Sequence, residues 1–152
     1  MPAHYFRALT GKDRSAEANR QLGFSLAFVA GATNAGGFLA VKQYTSHMSG
    51  VISAIADQAA LGDLSLALAG VGSLLSFLLG AASSSVLVNW GRRRRLNSQY
   101  ASPLLIEAVL LLCFGLLGSH LAVWETLFVP AAVVLLCFIM GLQNATITKL
   151  SG

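Results

Sequence analysis

Four long apolar runs, separated by short polar segments, most limit how this chain can fold. They cover residues 22–41, 64–90, 103–122 and 126–148, and each contains at least twenty residues. A helix of twenty residues is about 30 Å long, which matches the hydrocarbon core of a bilayer. We therefore expect an all-α fold, a polytopic membrane helix bundle with four spanning helices.

The scarcity of charge excludes most other classes of protein. Only 11% of the 152 residues are charged, whereas soluble domains average about 25%. The net charge of +4 does not indicate a nucleic-acid partner, because the chain has neither an RNA-binding aromatic motif nor a basic amphipathic helix. Cys113 and Cys137 lie within apolar runs and are interpreted as small core residues. The lipid bilayer is the expected partner, and no cofactor is expected.

A fifth apolar segment, residues 51–61, is too short to cross a membrane. Eleven residues reach only about 17 Å as a helix. The polar segment QYTSHMSG precedes it and Gly62-Asp63 follows it. This pattern predicts a short re-entrant or interfacial half-helix, with Ser46 or Ser49 near its N-cap.

The distribution of Lys and Arg predicts the topology. Four spanning helices place the N-terminal tail, the loop after the second helix and the C-terminus on one side. That side carries nine of the ten basic residues, namely Arg7, Lys12, Arg14, Arg20, Arg92, Arg93, Arg94, Arg95 and Lys149. Only Lys42 lies opposite. By the positive-inside rule, both termini are cytoplasmic, residues 1–20 form a cytoplasmic tail, and the four consecutive arginines serve as a topology anchor.

A short motif occurs twice. Residues 31–35 read GATNA and residues 141–145 read GLQNA, identical at three of five positions. The first copy lies on an outward-running helix and the second on an inward-running one, so the copies are inverted in the membrane. Inverted three-helix repeats enclose binding sites at their interface. We expect residues 21–152 to be an incomplete transmembrane domain, one repeat plus the first helix of a second.

Polar residues in and beside these motifs are the candidate binding residues. Asn34, Thr45, His47 and Asn144 are predicted to border one polar cavity that binds substrate, towards which the half-helix points its N-terminal amides. The alternative for the asparagines is a hydrogen bond to a neighbouring helix, contributing about 0.6–2 kcal/mol each. His47 with Met48 offers too few ligands for a metal, and no catalytic group is assigned.

Two further features have structural interpretations. Small residues recur every four positions in the second helix and predict close packing against another helix. They are Gly72, Ser76, Gly80 and Ser84. Glu107, about one turn inside the third helix, is either a proton-coupling carboxylate or a group that reaches water or pairs with an arginine of the 92–95 run.

The motifs NAGGFL at residues 34–39, TSHMSG at 45–50 and GLQNA at 141–145 resemble the YoaK-type family of uncharacterised multi-pass bacterial membrane proteins. The likeness covers residues 20–152, and the chain resembles the N-terminal two-thirds of such a protein. Many members carry Asn where this chain has Val51, so no binding role is carried over to that position. The resemblance implies a multi-pass protein of the bacterial cytoplasmic (inner) membrane. It implies no established reaction or substrate.

These observations favour a small transporter or permease of a polar solute. The alternative is a non-transporting scaffold or subunit, for which the small-residue groove of the second helix is suited. A homo-oligomer is compatible with both. An enzyme is not expected, because no cluster of catalytic polar groups lies at one depth of the predicted bundle.

The topology is testable by cysteine accessibility. In a variant without the native cysteines, Ser98→Cys should resist an impermeant maleimide added to intact cells and react once the cells are opened. The physical reason is the retention of the arginine run on the cytoplasmic side. Labelling of the introduced cysteine from outside intact cells would contradict the predicted orientation.

Overall fold

The protein is all-helical over the residues that the computed structural model describes, which are 15–121 and 125–151, with side chains described for 15–116 and 129–150. The five helices are α1 (Ala16–Val41), α2 (Met48–Ala60), α3 (Leu64–Arg93), α4 (Ala101–Leu121) and α5 (Glu125–Ser151). By length and composition, three helical segments are able to cross a membrane: Ala16–Val41, Leu64–Arg93 and Val129–Leu150. A shorter apolar stretch covers Ala101–Leu116 of α4. The all-α prediction is confirmed, and the chain has the composition of a membrane protein.

Two helices, α1 and α2, begin three or more residues earlier than the sequence predicts. α1 begins at Ala16 because the Ser15 hydroxyl caps it, accepting the Ala18 N–H at 3.2 Å. The helix therefore includes the end of the predicted tail, whose residues 1–14 lie outside the described part of the chain. α2 begins at Met48, and its N-cap is His47, whose side chain makes no capping hydrogen bond. Ser46 lies next to the N-cap, as predicted, but its hydroxyl donates to Asn34 and does not cap the helix.

Helix α5 lies at the centre of the described bundle and contacts α1, α3 and α4. It runs parallel to α3, since Ser76 donates to the Val134 carbonyl at 2.6 Å and Ser84 bonds to Thr146, two to three turns further on, at 2.7 Å. It runs antiparallel to α1. Gly37, late in α1, packs on Leu136. Leu26, earlier in α1, accepts a hydrogen bond from Gln143, later in α5.

The contact between α3 and α5 depends on two glycines. A Cβ added at Gly80 would overlap the Phe138 carbonyl, and one added at Gly141 would overlap the Phe77 carbonyl. Backbones approach this closely only where side chains are absent. Ser76, Gly80 and Ser84 are buried in this contact. Gly72 lies outside it, half-buried, with no atom within 4 Å of the position that a Cβ would take.

Helices α2 and α3 form an antiparallel hairpin. Gly62, with φ of 82°, makes the turn, and the Asp63 carboxylate caps α3 by accepting the Leu66 N–H at 3.1 Å. The Ser65 hydroxyl and the Leu66 N–H, both donating to this carboxylate, hold the pKa of Asp63 below its usual value. Ile55 packs onto Gly70, and a Cβ added at Gly70 would lie 2.6 Å from Cγ1 of Ile55.

α2 has the same direction as α1. α1 and α2 both run antiparallel to the parallel pair α3 and α5. The half-helix therefore continues in the direction of α1 after an interruption, and α1 and α2 together form one broken helix. Helices broken in this way line the binding sites of several transporter folds.

The close approach of α3 and α5 predicts that alanine substitutions at two glycines of α3 change the stability of the protein in opposite directions. Gly80→Ala should reduce the stability of the folded protein by about 1–3 kcal/mol, because the methyl group forces the two backbones apart. Gly72→Ala, eight residues earlier, is the matched control and should gain about 0.5–1 kcal/mol from lower backbone entropy. Thermal unfolding in detergent measures both. Equal melting temperatures for the two variants would contradict the packing described.

Candidate functional site

The interruption between α1 and α2, residues 42–47, is the main polar feature of the described structure. α1 ends at Lys42, which adopts the left-handed conformation with φ of 56° and donates its N–H to the Phe38 carbonyl at 2.8 Å. A residue other than glycine adopts this conformation at a cost of roughly 1–2 kcal/mol. The chain therefore stops the helix at a strained position, which is a common property of functional loops.

The break lies beside the middle of α3. Met48, at the start of α2, and Phe77 of α3 both pack against one apolar cluster of α1 and α5. The cluster consists of Val41, Ala132, Val133, Leu136 and Cys137. Phe77 follows Leu64 by thirteen residues, so the break is about 20 Å along a helix that is about 45 Å long.

Asn34 and Ser46 connect the two sides of the break. The Ser46 hydroxyl donates to Asn34 Oδ1 at 3.0 Å, which ties the loop to α1 two turns before the helix ends. The amide nitrogen of Asn34 has no partner among the described residues. Asn34 therefore keeps two N–H donors available next to the loop.

Thr45 adds a buried hydroxyl to the same place. Its side chain is 1% exposed, and Oγ1 has no hydrogen-bond partner in the described structure. A buried hydroxyl without a partner costs about 1–3 kcal/mol. The first turn of α2, which has no side-chain cap, begins three residues later and presents orphan backbone N–H groups. Unused donors therefore come from Asn34, Thr45 and the start of α2.

His47 lies on the outer surface of the break. Its ring meets the edge of Tyr44 at a centroid distance of 5.5 Å, and Tyr44 stacks on Phe38 at 4.8 Å. Tyr44 and His47 are exposed. Among the described residues, no group of three His, Cys, Asp or Glu side chains is placed to hold a metal ion.

Asn144 is not brought together with the other three predicted binding residues. It lies exposed on α5. Its neighbour Gln143 is buried and donates to the Leu26 carbonyl at 2.8 Å. Leu26 precedes Asn34 by eight residues, or about 12 Å of helix, so the two asparagines lie at different heights in the bundle.

The buried polar residue of each motif is the one before the asparagine. Gln143 is 1% exposed, and Thr33, which has the same place in the first motif, is also buried. Reasoning from the sequence missed both residues. The signal available was their equivalent position, since both are polar and both precede the shared asparagine.

The four consecutive arginines, at the C-terminal end of α3, lie on the surface. Arg92 donates to the Tyr100 hydroxyl at 3.2 Å, and that hydroxyl donates to the Lys149 carbonyl at 2.8 Å. Arg94 lies 5.8 Å from the ring centre of Trp90. These contacts fasten the loop after α3 to the last turn of α5, while all four arginines remain exposed.

Comparison with known proteins gives a family and nothing more specific. No curated protein and no solved structure matched the chain. A family model described as "Protein of unknown function (DUF1275)" matches residues 22–152. The YoaK-type resemblance is consistent with that match. Because the match covers most of its length, the chain belongs to the DUF1275 family of proteins of unknown function.

Proposed function

We propose that this protein is a small membrane transporter or permease of a polar solute, without enzymatic activity, and that the break between α1 and α2 is its binding site. The observation that carries the proposal is the group of unused hydrogen-bond donors at that break, in a chain that is otherwise strongly apolar. Polar groups are expensive in hydrocarbon unless they face protein, water or a ligand.

The proposed placement in the membrane has four spanning helices and cytoplasmic termini, in a bacterial cytoplasmic membrane. Large apolar side chains such as Phe28 and Leu79 are exposed on the outside of the bundle, as lipid contact requires. Arg92 and Asp63 then mark the two ends of α3. The break lies between these ends, about 20 Å from the start of the helix, so in the proposed placement it lies within the depth of the bilayer.

The chemistry of the break indicates the class of solute. The Asn34 amide nitrogen, the Thr45 hydroxyl and the N–H groups at the start of α2 are all able to donate hydrogen bonds. A helix N-terminus also carries a partial positive charge. A solute with a carboxylate or another acceptor-rich polar group complements this set of donors. The break thus favours small polar acids over apolar or cationic solutes.

The scaffold alternative has less support, because α5 fills most of the small-residue groove on α3. Ser76, Gly80 and Ser84 are already in contact with α5 and leave little of that groove for a partner. A second copy of the chain remains a compatible partner at other apolar faces. No observation on the described residues favours one such face.

Ligand-induced thermal stabilisation tests the proposed site. The full chain in detergent, screened against a panel of small carboxylic acids and matched neutral amides, should gain stability with a subset of the acids. Asn34→Leu should abolish that gain, because it removes the amide donors and the anchor of Ser46. Asn144→Leu should leave the gain unchanged, because Asn144 lies away from the break.

A second variant separates binding from folding. Thr45→Val replaces the unpartnered hydroxyl with a methyl group of similar size, so the ligand-free protein should be more stable by about 1 kcal/mol, while its response to ligand falls. Thr148→Val is the matched control, because Thr148 is exposed near the end of α5 and its hydroxyl already bonds to the Asn144 carbonyl. This control should leave the response to ligand unchanged and should not raise the stability. A ligand response that survives in both Asn34→Leu and Thr45→Val would exclude the break as the binding site.

A further inference from the structure

A second polar site lies away from the break, where α4 faces α5. Glu107 is 3% exposed, and neither of its carboxyl oxygens has a hydrogen-bond partner among the described residues. Gln143 is 1% exposed, and its Oε1 likewise has no partner. These two side chains hold three of the four buried side-chain oxygens or nitrogens that lack a partner in the described structure.

The packing places these two side chains at the same height. Leu104 of α4 and Ile147 of α5 pack against one cluster of α1, formed by Ala18, Leu22 and Leu26. Phe114, later in α4, packs against Leu136 and its neighbours, earlier in α5. α4 is therefore antiparallel to α5. Glu107 lies about 4.5 Å along α4 from Leu104, and Gln143 lies about 6 Å along α5 from Ile147, in the same direction.

Within the described structure, the site contains hydrogen-bond acceptors without partners and no free donor. The Gln143 amide nitrogen already donates to the Leu26 carbonyl. Three acceptor oxygens remain, and a carboxylate without a donor or a counter-charge in an apolar interior costs several kcal/mol. A proton on Glu107 removes the charge and supplies the missing donor at once.

No described charged neighbour supplies a donor or a counter-charge to Glu107. Among the residues whose side chains the structure describes, the acidic and basic residues on the helices that pack against α4 cluster at the cytoplasmic end of the proposed bundle. They are Glu17 and Arg20 of α1, Arg92 and Arg93 of α3, and Lys149 of α5. Arg20 pairs with Glu17 at 2.9 Å, and no described cation lies within ion-pair distance of Glu107. Lys149 follows Gln143 by six residues, or about 9 Å of helix.

We propose that Glu107 is a proton-binding site between α1, α4 and α5, held as a carboxylic acid whose O–H is directed to Gln143 Oε1. The ligand of this site is a proton. This proposal does not depend on whether a solute binds at the break. It gives the protein a group whose protonation changes the charge buried beside α1.

Reaction with dicyclohexylcarbodiimide tests the site directly. This apolar reagent reacts with carboxylic acids inside membranes: the acid oxygen bonds to the central carbon, the acid proton moves to nitrogen, and the O-acylisourea rearranges to a stable N-acylurea. Treatment of the full chain in liposomes, followed by peptide mass spectrometry, should show an adduct on Glu107. Glu17, exposed and paired with Arg20, is the internal control and should remain unlabelled.

The dependence of Glu107 labelling on pH and on added cations shows whether the bound species is a proton. Labelling of Glu107 should fall at least several-fold from mildly acidic to alkaline buffer and should not change with added Na⁺ or K⁺. In parallel, the melting temperature of the wild-type protein should decrease in alkaline buffer, since deprotonation leaves a buried charge, while that of Glu107→Gln should decrease less. Absence of an adduct on wild-type Glu107, labelling that is independent of pH, or protection by Na⁺ would each overturn the assignment.

Discussion

The backbone contact between α3 and α5 is the constraint on which the rest of the described structure depends. At Gly80 and Gly141 the two helices are so close that each occupies the space of the other's missing side chain. Apolar burial gives little net drive to helix association in lipid, so close packing and interhelical hydrogen bonds must supply it. The Ser76 and Ser84 bonds flank the glycines and fix the register of the pair. Once α5 is held in this way, α1 and α4 have a rigid surface to pack on.

The sequence predicted the helices well because length and apolarity decide them. The runs at 22–41, 64–90, 103–122 and 126–148 each lie almost entirely within one observed helix, and the boundary errors come from caps such as Ser15. The half-helix was predicted, with its N-terminus directed towards the polar residues, but the neighbour against which it packs was not. The Gly62 turn and the Ile55–Gly70 contact show that this neighbour is α3.

The candidate site was predicted in part. Asn34 and Thr45 lie together at the break. The polar segment directly follows α1, and Ser46, only twelve residues after Asn34, folds back to bond with it. Asn144 was expected with them because of its motif, yet a repeated motif does not fix which face of the helix is covered. The helix face decides burial, and a shift of one residue turns a side chain by about 100°. Gln143 is buried for that reason while Asn144 is exposed.

Both polar regions include residues of α1. Asn34 holds the loop of the break, and the Leu26 carbonyl, eight residues earlier in the same helix, receives the Gln143 hydrogen bond. A solute at the break and a proton at Glu107 cannot touch each other across such a distance, which is about 12 Å along the helix. They can influence each other only if α1 has two positions against α5 that they favour unequally. α1 meets α5 through the Gln143 hydrogen bond and through apolar contacts such as Gly37 on Leu136, whereas α3 is held to α5 by backbone contact. Coupling between the proposed solute site and the proposed proton site would act through the position of α1, with the pair α3 and α5 as the fixed frame.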